Sequence, residues 1–335
     1  MRIVVVGCGA VGSFYGAKLV RAGHDVHFLL RSDYDAVRRD GLRILSPQGD
    51  FQVRPRVARR PEEIGPSELV LIGLKTTANA EFSRLLPPLV SPSTAIVTLQ
   101  NGLGNEDQLA KLFPGEQILG GLCFVCLNRL EAGVIRHLDH GQVVLGEYQR
   151  PPQARTEMLA KLFARAGIEC TLTENLARAH WEKLTWNIPF NGLGVAGAAG
   201  FENVTAAPDA ALELSRPLGA CLTTEALLGE ERWARLVRDL MIEVATAARA
   251  QNLAVPDELA DKQIQRTRSM GPYKASTLLD FELHRPLELE SLFLEPLRQA
   301  RRASVPMPRL EALCRLLQYL EAGQPERPGA DPVCR

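Results

Sequence analysis

RIVVVGCGAVG, at residues 2–12, places three glycines, Gly7, Gly9 and Gly12, directly after an apolar run that is typical of a buried strand. The G-x-G-x-x-G spacing between a strand and a helix is the pattern of a dinucleotide-binding turn. Gly7 permits the tight turn, Gly9 lets the backbone approach a pyrophosphate, and Gly12 allows close packing of helix on strand. The helix N-terminus favours the pyrophosphate charge. The predicted phosphate-binding loop, called the glycine loop below, consists of Gly7, Cys8, Gly9, Ala10, Val11 and Gly12.

Strand-like and helix-like segments alternate through the first half of the chain. Apolar segments typical of further buried strands lie at 25–31, 67–75 and 93–101, and helix-like segments at 12–23 and 105–113. Strands that alternate with helices predict a Rossmann-type doubly wound sheet of parallel strands, an α/β fold. Segments without intervening helices predict a later antiparallel or mixed extension, at 117–127, 133–140 and 142–148.

The strand signal disappears after about residue 175, and the rest of the chain predicts an all-helical C-terminal domain. The predicted helices lie at 176–190, 208–228, 232–251, 256–268, 273–282, 288–303 and 307–321. At about 150 residues per domain, a chain of 335 residues corresponds to two domains. We expect a dinucleotide-binding Rossmann domain at 1–174 and a helical substrate and catalytic domain at 175–322. The segment 323–335 is rich in proline and glycine and predicts a disordered tail.

The residue after the second predicted strand indicates which dinucleotide is bound. In NAD-binding versions of the turn, an acidic residue about 20 residues further on holds the ribose diol. Here that position is Arg31, whose guanidinium suits a 2′-phosphate that a carboxylate would repel. We therefore predict NADP(H), with Ser32 as support. Asp33 or Asp35 turned inward would weaken this interpretation, and a solvated loop cation is the alternative for Arg31.

Two further polar residues follow predicted parallel strands. Lys75 ends the third of these strands and Asn101 the fourth. Because ligands bind at the carboxyl ends of strands in open parallel sheets, we expect Lys75 to contact the cofactor or substrate. We expect Asn101 at the nicotinamide end of the cofactor or at the substrate. The alternatives are a surface lysine and a turn residue in an Asn-Gly pair.

In the helical half, Lys183, Asn187 and Asn191 follow one another at intervals of four and share one helix face. The surrounding residues are apolar, so a lysine and two amides are costly there unless they face a cleft. An exposed polar stripe on an amphipathic helix is the alternative. Pro189 interrupts the stretch and predicts a kink or a loosened turn.

A later segment, 273–294, carries further polar residues in an otherwise apolar pattern. Ser276 and Asp280 lie one helical step apart, before a break at His284, Arg285 and Pro286. Glu288 then opens the next predicted helix. A carboxylate at a helix start is favoured by the helix dipole, so a capping charge is the alternative to a functional role for Glu288.

Composition and charge exclude several classes of function. Lys plus Arg and Asp plus Glu are both 39, and no long basic run is present, so we expect a small-molecule partner and no nucleic acid. No stretch reaches the roughly 18 apolar residues of a membrane helix, and no membrane partner is expected. The N-terminus lacks the pattern of a secretory signal.

The seven cysteines are scattered, and an odd number leaves at least one unpaired, so a reducing cytoplasm is expected. Cys123 and Cys126 have CxxC spacing but no second pair and no nearby histidine. They lie in an apolar run, so we interpret them as buried strand thiols rather than as a metal or redox site. No metal site is predicted.

The sequence resembles the ketopantoate reductase family (2-dehydropantoate 2-reductases) from the glycine loop to about residue 310. The resemblance is carried by GCGAVG at 7–12, LK at 74–75, QNGLGN at 100–105, GVIRH…GE at 133–147, WEKLTWNIPFN at 181–191 and STLLDFELHRPLELE at 276–290. It implies a Rossmann domain, a helical second domain, NADPH, and reduction of a 2-keto acid to a 2-hydroxy acid. The implied substrate is 2-dehydropantoate (ketopantoate), which is reduced to pantoate in pantothenate and coenzyme A biosynthesis.

The resemblance also implies roles for the candidate residues. Lys183 corresponds to the catalytic lysine, and Glu288 to the acidic residue that binds the substrate hydroxyl. The other implied contacts are the glycine loop and Arg31 for the cofactor, Asn101 at the cofactor–substrate junction, Asn187 and Asn191 for the substrate, and Ser276 for its carboxylate. The chain departs from the family at GLGVAGAAG, residues 192–200, where the family more often has proline and a threonine or alanine. We expect this glycine-rich stretch to form a loop that borders the substrate.

Two other functions stay open on the sequence. A 3-hydroxyacid dehydrogenase of the 6-phosphogluconate or hydroxyisobutyrate type also joins a Rossmann domain to helices with a lysine and an asparagine four apart. That type lacks the QNGLGN and LELE segments found here. A non-catalytic NADPH sensor would need the Rossmann domain but no proton donor. The helical half also offers surface for a homodimer, although no pattern singles out an interface.

Overall fold

The computed structural model describes residues 1–206, 212, 214 and 217–324. The chain divides into two compact units, Met1–Ala179 and His180–Arg335. The dividing point lies inside a helix, a few residues beyond the predicted boundary at residue 174. The predicted tail lies outside the described residues from residue 325 onward.

The first unit is built on one sheet of mixed direction. Its strands are β1 Arg2–Val6, β2 Asp25–Leu29, β3 Leu42–Leu45, β4 Phe51–Val53, β5 Arg56–Ala58, β6 Leu69–Ile72, β7 Ala95–Thr98, β8 Ile118–Glu131, β9 Val134–Glu147 and β10 Cys170–Leu172. They are ordered β4-β3-β9-β8-β7-β6-β1-β2-β5, and β10 pairs with β9. The run from β5 to β8 is parallel, whereas β8 and β9 are antiparallel. The predicted Rossmann-type sheet with an antiparallel extension is therefore confirmed.

Both faces of the parallel strands are buried, which explains their continuous apolar sequences. In β1, Ile3 and Val5 belong to one core layer, and Val4 and Val6 belong to the opposite one. The first layer includes Phe14 of the helix that follows β1. The parallel strands are thus covered on both sides, and their ends are the part available to a ligand.

The helices of the described residues account for the rest of the fold. They are α1 Ala10–Arg21, α2 Tyr34–Asp40, α3 Phe82–Leu85, α4 Asn105–Leu109, α5 Ala154–Arg165, α6 Leu176–Ala196, α7 Phe201–Val204, α8 Thr224–Gly229, α9 Glu231–Ala250, α10 Leu259–Arg268, α11 Ser276–Glu282, α12 Glu295–Arg302 and α13 Pro308–Ala322. None of the helices in this part of the chain is both long enough and apolar enough to cross a membrane.

The sheet contains elements that the sequence pattern did not predict. The unpredicted strands are β3, β4, β5 and β10, each of three or four residues, which is too short to show a clear alternation. The segments 133–140 and 142–148 were predicted as separate strands but form the single strand β9, which pairs with β8 through several register shifts. Cys123 and Cys126 lie buried in β8, as predicted.

The second unit differs from the prediction at two places. The helix predicted over 208–228 is wrong across 217–223, which is not helical. Pro217 and Gly219 interrupt the helical pattern there, and the backbone N–H groups of Gly219 and Leu222 donate to the carbonyl groups of Ala198 and Gly194 instead. Part of the predicted helix falls on residues outside the described part of the chain.

The second difference concerns the glycine-rich stretch at 192–200, which we expected to be a loop. Helix α6 runs through Pro189 and continues to Ala196. A Cβ on Gly192 would lie 2.6 Å from Leu313 and 2.8 Å from Phe293, and a Cβ on Gly197 would lie 2.4 Å from Leu222. The glycines therefore allow neighbouring segments to pack closely against the end of α6, and their role is in packing.

Candidate active site

The predicted cofactor residues lie along one edge of the sheet. Strands β2, β1, β6 and β7 are adjacent and parallel, so their carboxyl ends share that edge. The residues that follow these strands are, in spatial order, Arg31, the glycine loop, Lys75 and Asn101. The chain leaves β1 towards β2, while β6 lies on the other side of β1. This reversal is the topological switch point at which ligands bind in such sheets.

Glycine meets two different requirements in the glycine loop: one comes from the packing of the protein itself, and the other from the space that a ligand needs. Gly7 has a φ of 88°, and a Cβ there would lie 2.2 Å from the backbone nitrogen of Leu74. A Cβ on Gly12 would lie 2.2 Å from the carbonyl oxygen of Gly7. A Cβ on Gly9 would meet no protein atom within 4 Å. Gly7 and Gly12 are therefore needed by the fold itself, whereas Gly9 borders open space of the kind that a bound pyrophosphate requires.

Helix α1 presents its N-terminus to this space. Gly9 is its N-cap residue and supplies no side-chain cap, and its first turn contains no acidic residue. The first N–H groups of a helix have no partner within the helix, and the dipole places partial positive charge there. The loop and the start of α1 together fit a phosphate group of a dinucleotide.

The residues after β2 include an arginine without a side-chain partner among the described residues and two aspartates that form ion pairs. Among the described residues, the exposed Arg31 side chain makes no ion pair or hydrogen bond. Asp35 pairs with Arg59 at 2.7 Å. Asp33 is buried and forms an ion pair with Arg129 of β8. Both carboxylates that could have favoured a ribose diol are thus engaged by protein groups.

Asp33 is held by several donors. Its carboxylate accepts hydrogen bonds from Ser32 Oγ at 2.9 Å, from Arg129 Nε at 3.1 Å and from the backbone N–H of Gly133 at 3.3 Å. Burial alone would raise the pKa of Asp33, but the hydrogen bonds from Arg129 and Ser32 outweigh it and leave the pKa below its ordinary value. Asp33 is therefore ionised at neutral pH and joins the loop after β2 to the β8–β9 hairpin.

Lys75 and Asn101 begin two loops at the same edge. Lys75 is the N-cap residue of a 3₁₀ turn at Thr76–Glu81. Asn101 precedes Gly102, which has a φ of 88°. Sequence reasoning did not single out the buried amides of Asn79, Gln100 and Asn105, which hydrogen-bond to one another between these two loops. The only signal in the sequence was the density of amides in QNGLGN.

In the second unit, α6 carries the polar stripe that the sequence predicted. Its apolar neighbours Trp181, Leu184 and Ile188 are fully buried. Asn187 and Asn191 are also buried, with 7% and 3% of their surface exposed. Within the described part of the chain, the side chain of the buried Asn187 makes no hydrogen bond. Its amide is therefore left for a ligand to satisfy.

Asn191 connects the stripe to α11. Its Oδ1 accepts a hydrogen bond from the hydroxyl of Ser276 at 3.2 Å and from the backbone N–H of Thr277 at 3.0 Å. The acceptor half of the amide is therefore used, and no described residue accepts from its Nδ2 group. The structure brings Asn191 and Ser276 together, two residues to which the family resemblance gives substrate contacts, and it leaves the donor half of Asn191 for another group.

Glu288 lies just before an irregular helical segment. It is buried, with 5% of its surface exposed, and its carbonyl accepts the backbone N–H of Leu292. The residues that follow form a π-helix at Glu290–Leu294, a rare geometry that often occurs at functional sites. The exposed Glu290 forms an ion pair with Arg298 and so differs from Glu288 in its surroundings.

The glycine loop on a parallel sheet, followed by a helical unit with a lysine and two asparagines on one face, defines the class of dinucleotide-dependent oxidoreductases with a separate helical unit. The family model described as "Ketopantoate reductase PanE/ApbA" matches residues 3–150, and "Ketopantoate reductase PanE/ApbA C terminal" matches residues 215–321. The chain belongs to the ketopantoate reductase family.

Individual relatives agree with this. The 2-dehydropantoate 2-reductase of Nostoc sp. is 37% identical over 331 residues, which cover 96% of this chain and 95% of the relative. The crystal structure of 2-dehydropantoate 2-reductase from Geobacter metallireducens is 44% identical with a TM-score of 0.87, covering 95% of this chain and 99% of that one. The corresponding structure from Methylococcus capsulatus is 34% identical with a TM-score of 0.83, covering 96% and 97%. The predicted family and the predicted oxidoreductase class are confirmed.

Proposed function

We propose that this protein uses NADPH to reduce ketopantoate to pantoate, as a step of pantothenate biosynthesis. The observation that supports this most directly is the polar stripe on α6, formed by the half-buried Lys183 and the buried Asn187 and Asn191, in a chain of this family. A dehydrogenase of 3-hydroxy acids is disfavoured, because both matching family models are of ketopantoate reductases.

The choice of NADPH rests on the residues after β2. Arg31 is an exposed arginine whose guanidinium has no partner among the described residues, and the nearby Asp33 and Asp35 form ion pairs with Arg129 and Arg59. A 2′-phosphate would gain a charge-assisted hydrogen bond from Arg31, whereas neither Asp33 nor Asp35 is available to a ribose diol. Open space above Gly9 and the uncapped start of α1 fit the pyrophosphate. We place Lys75 and Asn101 towards the nicotinamide end.

When bound, the reduced nicotinamide supplies a hydride to the ketone carbon. In our proposal the Lys183 ammonium stabilises the negative charge that develops on the carbonyl oxygen and transfers a proton to it, so that the ketone becomes a hydroxyl. Solvent then restores the proton on Lys183. Asn101, at the junction of the two ligands, orients the carbonyl group.

The remaining residues hold the substrate without adding positive charge. The Nδ2 groups of Asn187 and Asn191 are donors that suit the substrate carboxylate. Ser276 Oγ donates to Asn191 in this structure, so a direct bond from Ser276 to the carboxylate requires its proton to turn away from Asn191. Glu288 accepts a hydrogen bond from the substrate hydroxyl and thereby orients the chain of the keto acid.

The test is a substrate and cofactor panel with the purified protein. NADPH oxidation is measured with ketopantoate and with trimethylpyruvate, which is ketopantoate without its hydroxyl, and each reaction is repeated with NADH. We expect the highest kcat/KM for NADPH and ketopantoate. Equal kcat/KM for both keto acids would remove the proposed role of the hydroxyl, and oxidation of 3-hydroxyisobutyrate in place of these reductions would refute the proposed activity.

A further inference from the structure

A chain of buried amides lies beneath the loop that carries Asn101. The Thr98 hydroxyl donates to Gln100 Oε1 at 2.9 Å, and Gln100 Nε2 donates to Asn79 Oδ1 at 2.7 Å. Asn79 Nδ2 donates to Asn105 Oδ1 at 2.9 Å, and Asn105 Nδ2 donates to the carbonyl oxygen of Asn101 at 3.1 Å. We call these four consecutive hydrogen bonds the amide relay.

The direction of the amide relay is fixed by its last member. The backbone carbonyl of Asn101 can only accept, so Asn105 must turn its NH₂ group towards it and its oxygen towards Asn79. Asn79 must then present its own NH₂ group to Asn105, and so its oxygen faces Gln100. Each amide orientation therefore depends on the next, and one substitution disturbs the whole relay.

The amide relay joins the two loops that follow β6 and β7. Asn79 belongs to the 3₁₀ turn that begins after Lys75, whereas Gln100 and Asn105 flank the turn that contains Asn101. All four relay side chains are buried, and Asn105 has 0% of its surface exposed. Gly102 and Gly104 have φ values of 88° and 83°, so the turn between them has little conformational preference of its own.

We infer that Asn105 is a positioning residue for the reaction. Through its bond to the Asn101 carbonyl, and through Asn79, it holds the Asn101 loop in a fixed place relative to the turn after Lys75. This inference rests on the proposed function, because Asn101 is proposed there to orient the carbonyl group. An apolar side chain at position 105 would remove the hydrogen bond that the Asn101 carbonyl accepts from Asn105.

Asn105→Asp tests the inference with little change in shape. A carboxylate still accepts from Asn79, but it cannot donate to the Asn101 carbonyl and instead faces it with a negative charge. We expect kcat/KM for ketopantoate to fall by about 10- to 100-fold, since displacements of about 1 Å have effects of this size. We expect backbone amides at 101–105 to exchange with deuterated solvent at least about tenfold faster than in the wild type.

Gln117→Glu is the matched control. Gln117 is also a buried amide of the first unit, and its Nε2 donates to the carbonyl groups of Ser91 and Thr94 at 2.7 and 3.0 Å. Those carbonyls precede β7, at the end of the sheet away from the cofactor edge. The same chemical change should therefore lower stability while leaving kcat/KM and exchange at 101–105 close to wild-type values.

Asn79→Ala, which interrupts the amide relay without adding charge, serves if Asn105→Asp does not fold. Faster exchange at 101–105 together with reduced kcat/KM in either relay variant supports the inference. Unchanged exchange, or equal kinetic losses in Gln117→Glu, would overturn it. If the wild-type protein itself does not reduce ketopantoate, the proposed function fails, and the exchange measurement alone decides whether Asn105 holds the loop.

Discussion

The buried polar groups at the cofactor edge of the sheet differ from those on the polar stripe of α6 in whether they have protein partners. At the cofactor edge, Asn79 and Asn105 are satisfied by protein partners, and so is Asp33. On the stripe, the Asn187 amide and the donor half of Asn191 have no partner among the described residues. The first region is completed by the chain itself, whereas the second keeps donors that a ligand can satisfy.

This difference corresponds to two ways in which a protein can recognise a ligand. A cofactor bound mainly through backbone N–H groups and one exposed cation allows its supporting side chains to be internally hydrogen-bonded. A small keto acid has few atoms, and its recognition depends on side-chain donors that stay unpaired until it binds. Substitutions on the stripe should therefore change turnover and substrate KM directly. Substitutions at the edge should change cofactor affinity or stability, except in the amide relay, where they act on the reaction through the position of Asn101.

The largest effect is expected for Lys183→Ala. If Lys183 is the proton donor, kcat should fall by about 100- to 10,000-fold, while the Kd for NADPH changes little because the cofactor is proposed to bind in the other unit. Steady-state kinetics gives kcat, and fluorescence titration gives the Kd for NADPH; together they check this prediction. Lys262→Ala on α10 is the control, because Lys262 is exposed and pairs with Glu258. A near-normal kcat in Lys183→Ala would show that Lys183 is not the proton donor.

The next effect tests the cofactor edge. Arg31→Ala should raise the KM for NADPH by about 10- to 100-fold, the equivalent of losing a hydrogen bond to a charged group worth about 1.5 to 3 kcal/mol. The KM for NADH should stay within a few-fold of the wild type. Arg38→Ala, at another exposed arginine after β2, is the comparison variant. Equal losses with NADPH and NADH would mean that Arg31 does not recognise a 2′-phosphate.

The sequence alone predicted the parts of the molecule that depend on local pattern. The glycine loop, its flanking strand and helix, and the spacing of Lys183, Asn187 and Asn191 all follow from short repeats of apolar and polar residues. The assignment of roles to these residues came from a family resemblance and stays a prediction. The strands β3, β4, β5 and β10 were missed because three or four residues are too few to show an alternation, and β3, β5 and β10 also pair with strands distant in sequence.

The other features that could not be predicted from the sequence depend on contacts between residues far apart in the chain. The pairing of Asp33 with Arg129 joins residues 96 positions apart, and Asn79 meets Asn105 across 26 positions. Neither pair has a local pattern. The stretch at 192–200 was read as a loop because glycine disfavours helices, whereas close packing on Leu222 and Phe293 overrides that preference.

A smaller effect distinguishes two neighbouring carboxylates after α11. Glu288→Gln should raise the KM for ketopantoate about 3- to 10-fold, since an amide oxygen accepts a weaker hydrogen bond than a carboxylate. The KM for trimethylpyruvate should not change, because that substrate has no hydroxyl. Glu290→Gln is the matched control, since Glu290 is exposed and pairs with Arg298. Equal changes with both substrates would leave Glu288 as a structural residue only.

The smallest effect on the reaction is expected for Asp33→Asn, which tests whether this acid at the cofactor edge is purely structural. Because the folded pKa of Asp33 is lowered, its charge stabilises the protein above its ordinary pKa of 3.8, and that stabilisation is lost as the pH falls through the folded pKa. The variant should therefore be less stable than the wild type at pH 7, by about 1 to 3 kcal/mol for a lost bond to a charged group. Urea unfolding over a range of pH should show this gap closing in acid, and the ratio of kcat/KM with NADPH to that with NADH should stay near the wild-type value. A marked shift of that ratio towards NADH or NADPH would show that Asp33 faces the cofactor. The contrast between an edge whose buried polar groups have protein partners and a stripe whose donors await a ligand would then no longer hold.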